Sequence, residues 1–328
     1  MKGHDKEAFK RVIKAFNRAK ILVIGDLILD EFIWGKVNRI SPEAPVPVVW
    51  VNSESFMPGG ASNVANNIHG LGAQAFICGV IGADERGRIL TEELRRKNID
   101  VEGIVVDAER PTTLKTRVIA HHQQVVRIDR EKVDEVDDNV ISQILTYAKE
   151  KINDVDALLI EDYGKGLIAP RLIQEVIALA HKHDKIVTVD PKDNHLSYYQ
   201  DITLITPNHH ELAKATGEEI KSEKDLDVAG RALLANQKSK AVLVTLGENG
   251  MRLFEENGQS VHIPTMAQEV YDVSGAGDTV IAAATVALAS GASMLEAAHI
   301  SNYAAGIVVG KVGVAVATQE ELNERFSR

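Results

Sequence analysis

The sequence predicts an α/β protein: a central, mostly parallel sheet flanked by helices, with a small β-sheet lid. Short apolar runs recur along the chain, each closed by Gly, Asp, Pro or Asn. Helical patterns lie between most of them, and that alternation gives a parallel sheet covered on both faces. Two other segments are extended but lie outside the series, and they supply the lid.

The elements follow in order. MKGHDKEAFKRVIKAFNRAK is charged and helix-like, with no apolar signal core. ILVIGD (21–26) is an apolar, β-branched strand. FIWGKVNRISPEAPVPVVWVN (32–52) is Pro-rich and extended, because a helix fails at its prolines. SNVANNIHGLG reads as a helix and AFICGVIG (75–82) as the next strand. TTLKTRVIAHHQQVVRIDRE (112–131) alternates with period two. It is expected to join 32–52 as antiparallel strands outside the main sheet. ALLIEDYG (157–164), IVTVDPK (186–192), ITLITPN (202–208) and AVLVTLG (241–247) continue the strand series, with RLIQEVIALAHKH as an intervening helix. DVSGAGDT (272–279) opens onto the apolar helix VIAAATVALA. No repeat or Gly/Ser linker divides the chain. Residues 1–328 are therefore expected to be one domain, with lid strands inserted at about 32–52 and 112–131. Ligands of such sheets sit beyond the carboxyl ends of the strands. That edge gathers Asp26, Asp30, Asp162, Asp190, Lys192, Asn208, Glu211 and Thr245.

Composition narrows the partners. The 37 Lys+Arg against 47 Asp+Glu leave a net charge of −10, which argues against nucleic acid and membrane surfaces. Cys78 is the single cysteine, so an intramolecular disulfide and a Cys-based zinc site are excluded. TVIAAATVALA is too short to span a bilayer, and a cytoplasmic protein is expected. His121, His122, His181, His183, His209 and His210 lack metal-site spacing and are expected to bind no metal.

GAGD at the mouth of an apolar helix raises a chemical question. Helix N-termini present unpaired N–H groups and bind anions, and glycines let a phosphate approach the backbone. The blander account is an Asp278 that only balances the macrodipole. Two phosphate motifs are excluded. GADERGRI (82–89) lacks the Lys and hydroxyl of a P-loop. GAGDTV carries Val280 where a dinucleotide fingerprint needs its third Gly.

Four stretches together are specific. PGGASNVANNIHGLGA (58–73), TPNHHE (206–211), TLGENG (245–250) and DVSGAGDTVIAA (272–283) resemble the signatures of the ribokinase-family (PfkB-type) sugar kinases, in order and over nearly the whole length. The resemblance implies a ribokinase-like fold, ATP and Mg²⁺. It implies Asp278 as general base, with Gly275, Ala276 and Gly277 presenting amides to the transferring phosphoryl group. Asn208 and Glu211 would order Mg²⁺ through water; an Asn cap with Glu three residues on also fits a capping box, and the two roles are compatible. Thr245, Gly247, Gly250 and Asn302 would line the nucleotide. Asp30, Asn63, Gly59 and Gly60 would receive the sugar, with Asp26 and Asp162 as further candidates. Arg117, Gln124, Arg127, Lys165 and Lys192 are candidates for the lid and for a substrate phosphate; Lys192 could instead contact ATP. Asp272 and Ser274 would border a monovalent cation such as K⁺.

A narrower resemblance lies in GDLILDEFIWGKVNRISPEAPVPVV (25–49), EDYGKG (161–166) and DPK (190–192). These are similar to the branch that phosphorylates D-glycero-D-manno-heptose 7-phosphate at O1, on the route to ADP-heptose and lipopolysaccharide. The chain departs from that branch at Asp193, where Gly is usual, and at His121, where a more basic residue is usual. Two alternatives stand beside this expectation: a PfkB-type kinase of another sugar or sugar phosphate, and a non-catalytic nucleotide- or sugar-binding sensor of the same fold. Retention of Asp278, GAG and NxxE together speaks against the sensor. No HxGH motif is present, so the expected product is the 1,7-bisphosphate and not a nucleotide sugar. Exposed lid edges suggest a homodimer through the lids.

Overall fold

The computed structural model describes residues 3–121, 123–267, 269–311, 313 and 315–327; His122 lies outside them. In chain order, α1 (Gly3–Ala15) leads into β1 (Lys20–Gly25), and β2 (Leu27–Ile40) and β3 (Pro47–Gly60) form a long hairpin. There follow α2 (Ala61–Gly70), β4 (Gln74–Gly82), α3 (Glu85–Arg96), β5 (Asp100–Asp107), β6 (Thr113–Ala120), β7 (Gln123–Arg130) and α4 (Asp138–Lys151). Next come β8 (Ala157–Glu161), α5 (Pro170–Lys182), β9 (Ile186–Asp190), β10 (Leu204–Ile205), α6 (His209–Thr216) and α7 (Glu223–Gln237). The chain closes with β11 (Ala241–Thr245), β12 (Met251–Glu255), β13 (Ser260–Ile263), α8 (Ala276–Ala289), α9 (Met294–Val308) and α10 (Gln319–Ser327).

Nine strands form one sheet in the order β13-β12-β11-β10-β9-β8-β1-β4-β5. Its pairings are parallel from β11 through to β5, and β12 and β13 add an antiparallel edge. The alternation of side chains along β1 divides the core. Ile21 and Val23 pack into the layer that holds α1, α2, α8 and α9. Leu22 and Ile24 face α4, α5 and α7. This is the two-sided burial that the continuous apolar strands anticipated.

The lid is a second sheet in the order β3-β2-β6-β7. Its strands are longer than the stretch read as 32–52, running from Leu27 to Gly60. The antiparallel expectation holds for β2–β3 and β6–β7. It fails for β2–β6, which pair in parallel from Ile28↔Thr113 to Gly35↔Ala120. Hairpin neighbours reverse direction, but β2 and β6 are joined through a long crossover, which returns the chain in the same sense. Asp30 accordingly sits within a lid strand and not at the end of a main-sheet strand. Strands β5, β12 and β13 were missed; the charged DVEGIVVD of β5 hides its short apolar core. Among the described residues no helix is long and apolar enough to cross a membrane.

Candidate active site

The site is built around the first turn of α8. Gly275 caps that helix at φ 75°, in the left-handed region where a side chain is strained. Asp272 Oδ1 accepts from the Ser274 amide at 2.9 Å and shapes the approach. Asp278 is 4% exposed. Its Oδ2 accepts from Asn63 Nδ2 at 2.6 Å, and its Oδ1 accepts from the Tyr163 hydroxyl at 2.7 Å. Burial raises the carboxyl above the ordinary Asp value, against the pull of those two donors. At the next residue, Thr279 Oγ1 donates to Asn67 Oδ1 at 2.9 Å. The two longest motifs are thus one structure, in which α2 hands its asparagines to the start of α8.

That turn of α8 separates two cavities. On one side lies a cavity of about 130 Å³, lined by Asp30, Gly60, Asn63, Arg117, Ser274, Gly275 and Asp278 together with Lys115 and Tyr163. Arg117 Nη1 donates to Asp30 Oδ1 at 2.5 Å. A Cβ on Gly59 would come within 2.5 Å of Asp30 Oδ2, so any other residue there would displace the Asp30 carboxylate. On the other side is a cleft of about 660 Å³, mostly apolar, lined by Asn208, Thr245, Gly247, Gly250, Ala276, Gly277 and Asn302. Asn302 Nδ2 donates to the Pro264 carbonyl at 2.7 Å and fixes its floor.

The capping box at Asn208 and Glu211 is formed. Asn208 Oδ1 accepts from the His210 and Glu211 amides, and Glu211 Oε2 accepts from the Asn208 amide at 2.9 Å. Near it, Glu161, Asp190 and Asp278 offer carboxylate oxygens within 4.8 Å of one another. Asp190 accepts from Thr206 Oγ1 at 2.7 Å. Glu161 is fully buried, and neither of its carboxyl oxygens has a hydrogen-bond partner among the described residues. Burial first, then the neighbouring carboxylates, raises Glu161 well above the usual range. An oxygen-only set with an orphaned carboxyl fits a hard divalent cation. Glu161 escaped the sequence reading because it closes an apolar strand, and nothing local distinguishes it from a strand end.

Several candidates lie elsewhere. Asp26 is withdrawn from the sugar cavity. It accepts from the amides of Tyr163, Lys165 and Leu167 at 2.9, 3.0 and 3.3 Å and so ties down the 162–167 loop. Burial lifts its pKa to about 6. Asp162 is likewise occupied, accepting from Tyr199 Oη at 2.6 Å, with His195 Nδ1 at 2.8 Å. Lys165 Nζ donates to Glu131 at 2.8 Å. Arg127 is exposed and bonded to Asp129, and Gln124 is exposed on β7. Lys192 follows β9 on the side of Asp193 and Glu211. The two departures have structural roles: Asp193 accepts from Lys214 at 2.7 Å, and His121 adopts φ 50° with Nε2 at 3.0 Å from the Val37 carbonyl.

The family pattern described as "pfkB family carbohydrate kinase" matches residues 18–321. The chain belongs to the pfkB carbohydrate kinase family. As a pfkB kinase it is 46% identical over 303 residues to a Helicobacter pylori protein named "Bifunctional protein HldE", covering 92% of this chain and 65% of that one. The protein of the same name from Geobacter sulfurreducens is 46% identical over 301 residues, covering 92% and 61%. The chain therefore spans less than two thirds of the length of these relatives. Among solved structures, Arabidopsis thaliana ribokinase complexed with ribose and ATP aligns with TM-score 0.76 at 19% identity, over 94% of this chain and 99% of that one. Phosphofructokinase-2 from Escherichia coli aligns with TM-score 0.77 at 21% identity, over 94% and 98%. These two establish the ribokinase-like fold.

Proposed function

We propose that this pfkB kinase transfers the γ-phosphoryl group of ATP to O1 of D-glycero-D-manno-heptose 7-phosphate, making the 1,7-bisphosphate for ADP-heptose and lipopolysaccharide synthesis. The observation that carries the kinase reading is Asp278, bonded to Asn63 and Tyr163 on the single turn of α8 shared by a small polar cavity and a large apolar cleft. The resemblance of 25–49, 161–166 and 190–192 to the heptose branch supports the acceptor, as does the 46% identity to the bifunctional relatives.

The sugar enters the 130 Å³ cavity against Asp30 and Asn63. ATP lies in the cleft, its γ-phosphoryl group at the Gly275–Gly277 amides. The O1–H proton passes to Asp278 as the O1–P bond forms and the bond from phosphorus to the β,γ-bridging oxygen breaks, releasing ADP. The α8 amides stabilise charge on the transferring group. Mg²⁺, when bound, would be held by Glu161 and Asp190 beside Asp278, with Asn208 and Glu211 reaching it through water, and would neutralise phosphate charge. A K⁺ ion, when bound, would be bordered by Asp272 and Ser274. ATP dependence supports a cytoplasmic setting. Strand β7 is exposed along its whole length and carries Val125, Val126 and Ile128, which supports a homodimer through the lids.

The test is ADP release across a panel of neutral and phosphorylated sugars. Turnover highest with heptose 7-phosphate, with the bisphosphate seen by mass spectrometry, is the expected result. A clear preference for another acceptor refutes the heptose reading, and absence of turnover with every sugar refutes the kinase reading. Light scattering of the wild type and Ile128→Asp tests the dimer, which the charge should dissociate.

A further inference from the structure

The basic groups around the sugar cavity are not equivalent. Arg117 is bonded to Asp30, Arg127 to Asp129 and Lys165 to Glu131. Lys115 stands apart. It lies opposite Asp30 in the β2–β6 register and two residues before Arg117, so both side chains leave the same face of β6. Both line the cavity that contains Asp278. The Lys115 ammonium lies 5.1 Å from the centroid of the Tyr163 ring, the ring whose hydroxyl donates to Asp278. Among the described residues it forms no ion pair with a carboxylate. Burial, then the charge of Lys165, pulls its ammonium below the ordinary Lys value. Asp30 and Asp129 act on it only at a distance, so the ammonium is desolvated with no carboxylate in contact, and a site tolerates that where an anion arrives with the ligand.

We infer that Lys115 anchors a phosphate ester carried by the acceptor sugar, and that it selects sugar phosphates over neutral sugars at this site. The inference rests on the sugar-kinase reading of the cavity. Lys115 belongs to the lid wall, whereas α8 forms the wall shared with the nucleotide cleft, so the anion it meets is on the acceptor and not on ATP. The Arg117 guanidinium on the same face retains N–H donors beyond its contact with Asp30, and a dianionic phosphate suits two adjacent cations better than a carboxylate does. The sequence concealed Lys115 because LKTRV reads as an ordinary alternating strand with solvated charges.

The experiment compares wild type, Lys115→Gln and Lys115→Arg with heptose 7-phosphate, the corresponding neutral heptose and other sugar phosphates, measuring KM for acceptor and for ATP separately. Lys115→Gln is expected to raise KM for the phosphorylated acceptor roughly ten- to a hundredfold, as loss of a charge-assisted contact does. It should leave KM for ATP and for the neutral heptose nearly unchanged, and Lys115→Arg should recover most of the loss. A purely structural lysine would move all three values together. Unchanged KM for the phosphorylated acceptor in Lys115→Gln overturns the inference while leaving the heptose reading intact. So does a rise confined to ATP. A wild type that prefers a different sugar phosphate, with the same Lys115 dependence, upholds the inference and refutes the heptose reading. A wild type that turns over only neutral sugars overturns both.

Discussion

Replacing Asp278 by Asn separates chemistry from architecture. The structure predicts that the amide fits. Its oxygen can accept from Asn63 Nδ2 in place of Oδ2, and its NH₂ can donate to Tyr163, whose hydroxyl rotates from donor to acceptor. The two contacts of 2.6 and 2.7 Å are then kept and a buried charge is removed. The sign follows from the raised pKa. A neutral Asp278 stabilises the fold below the ordinary value of 3.8, and that contribution is lost as pH rises through the raised value. Burial disfavours the charged form that a general base needs, and Asn at this position carries no charge, so Asp278→Asn should melt no lower than the wild type. Catalysis should behave differently. Loss of a general base lowers kcat by about 10²–10⁴, roughly 3–5 kcal/mol of barrier. The α8 amides remain and no negative charge is added, so the Kd for nucleotide should stay within about twofold. The assay is coupled ADP release beside calorimetric nucleotide titration and a melting curve. Turnover near wild type would refute the role of Asp278. A large fall in melting temperature would refute the hydrogen-bond exchange.

Three further outcomes follow from the same geometry. Tyr163→Phe removes a donor that favours the Asp278 carboxylate, so the acid limb of the kcat profile should move to higher pH; an unmoved limb would mean that Tyr163 does not tune the base. Gly277→Ala should fold normally, because the new methyl meets only Asp190 Oδ2 at 3.7 Å, yet it intrudes where phosphate must approach and should raise KM for ATP about tenfold or more; unchanged kinetics would remove Gly277 from the phosphate site. Asp26→Ala leaves the amides of Tyr163, Lys165 and Leu167 without their acceptor and should cost about 2–4 kcal/mol of stability by denaturant titration, while an unchanged midpoint would show that the 162–167 loop holds without it.

The sequence alone determined the parallel sheet, the presence of a lid and the glycine-rich turn that opens α8. These depend on local signals: apolar runs closed by turn residues, prolines that forbid helix, and glycines before an apolar helix. It also brought Asp30, Asn63, Arg117 and Asp278 forward, because residue type and chain order around them resemble the family's pattern and can be read without any contact. Tertiary structure alone decided which charges are available for ligands. Asp26 and Asp162 read as free acids at strand ends, but three backbone amides occupy Asp26, and Tyr199 and His195 occupy Asp162. Lys165 and Lys115 look equally solvated, but Glu131 neutralises only the first. Glu161 reads as the end of an apolar strand until β8, β9 and α8 bring it to Asp190 and Asp278. A charged group's role is set by its partners and its desolvation, and both come from residues far away in the chain.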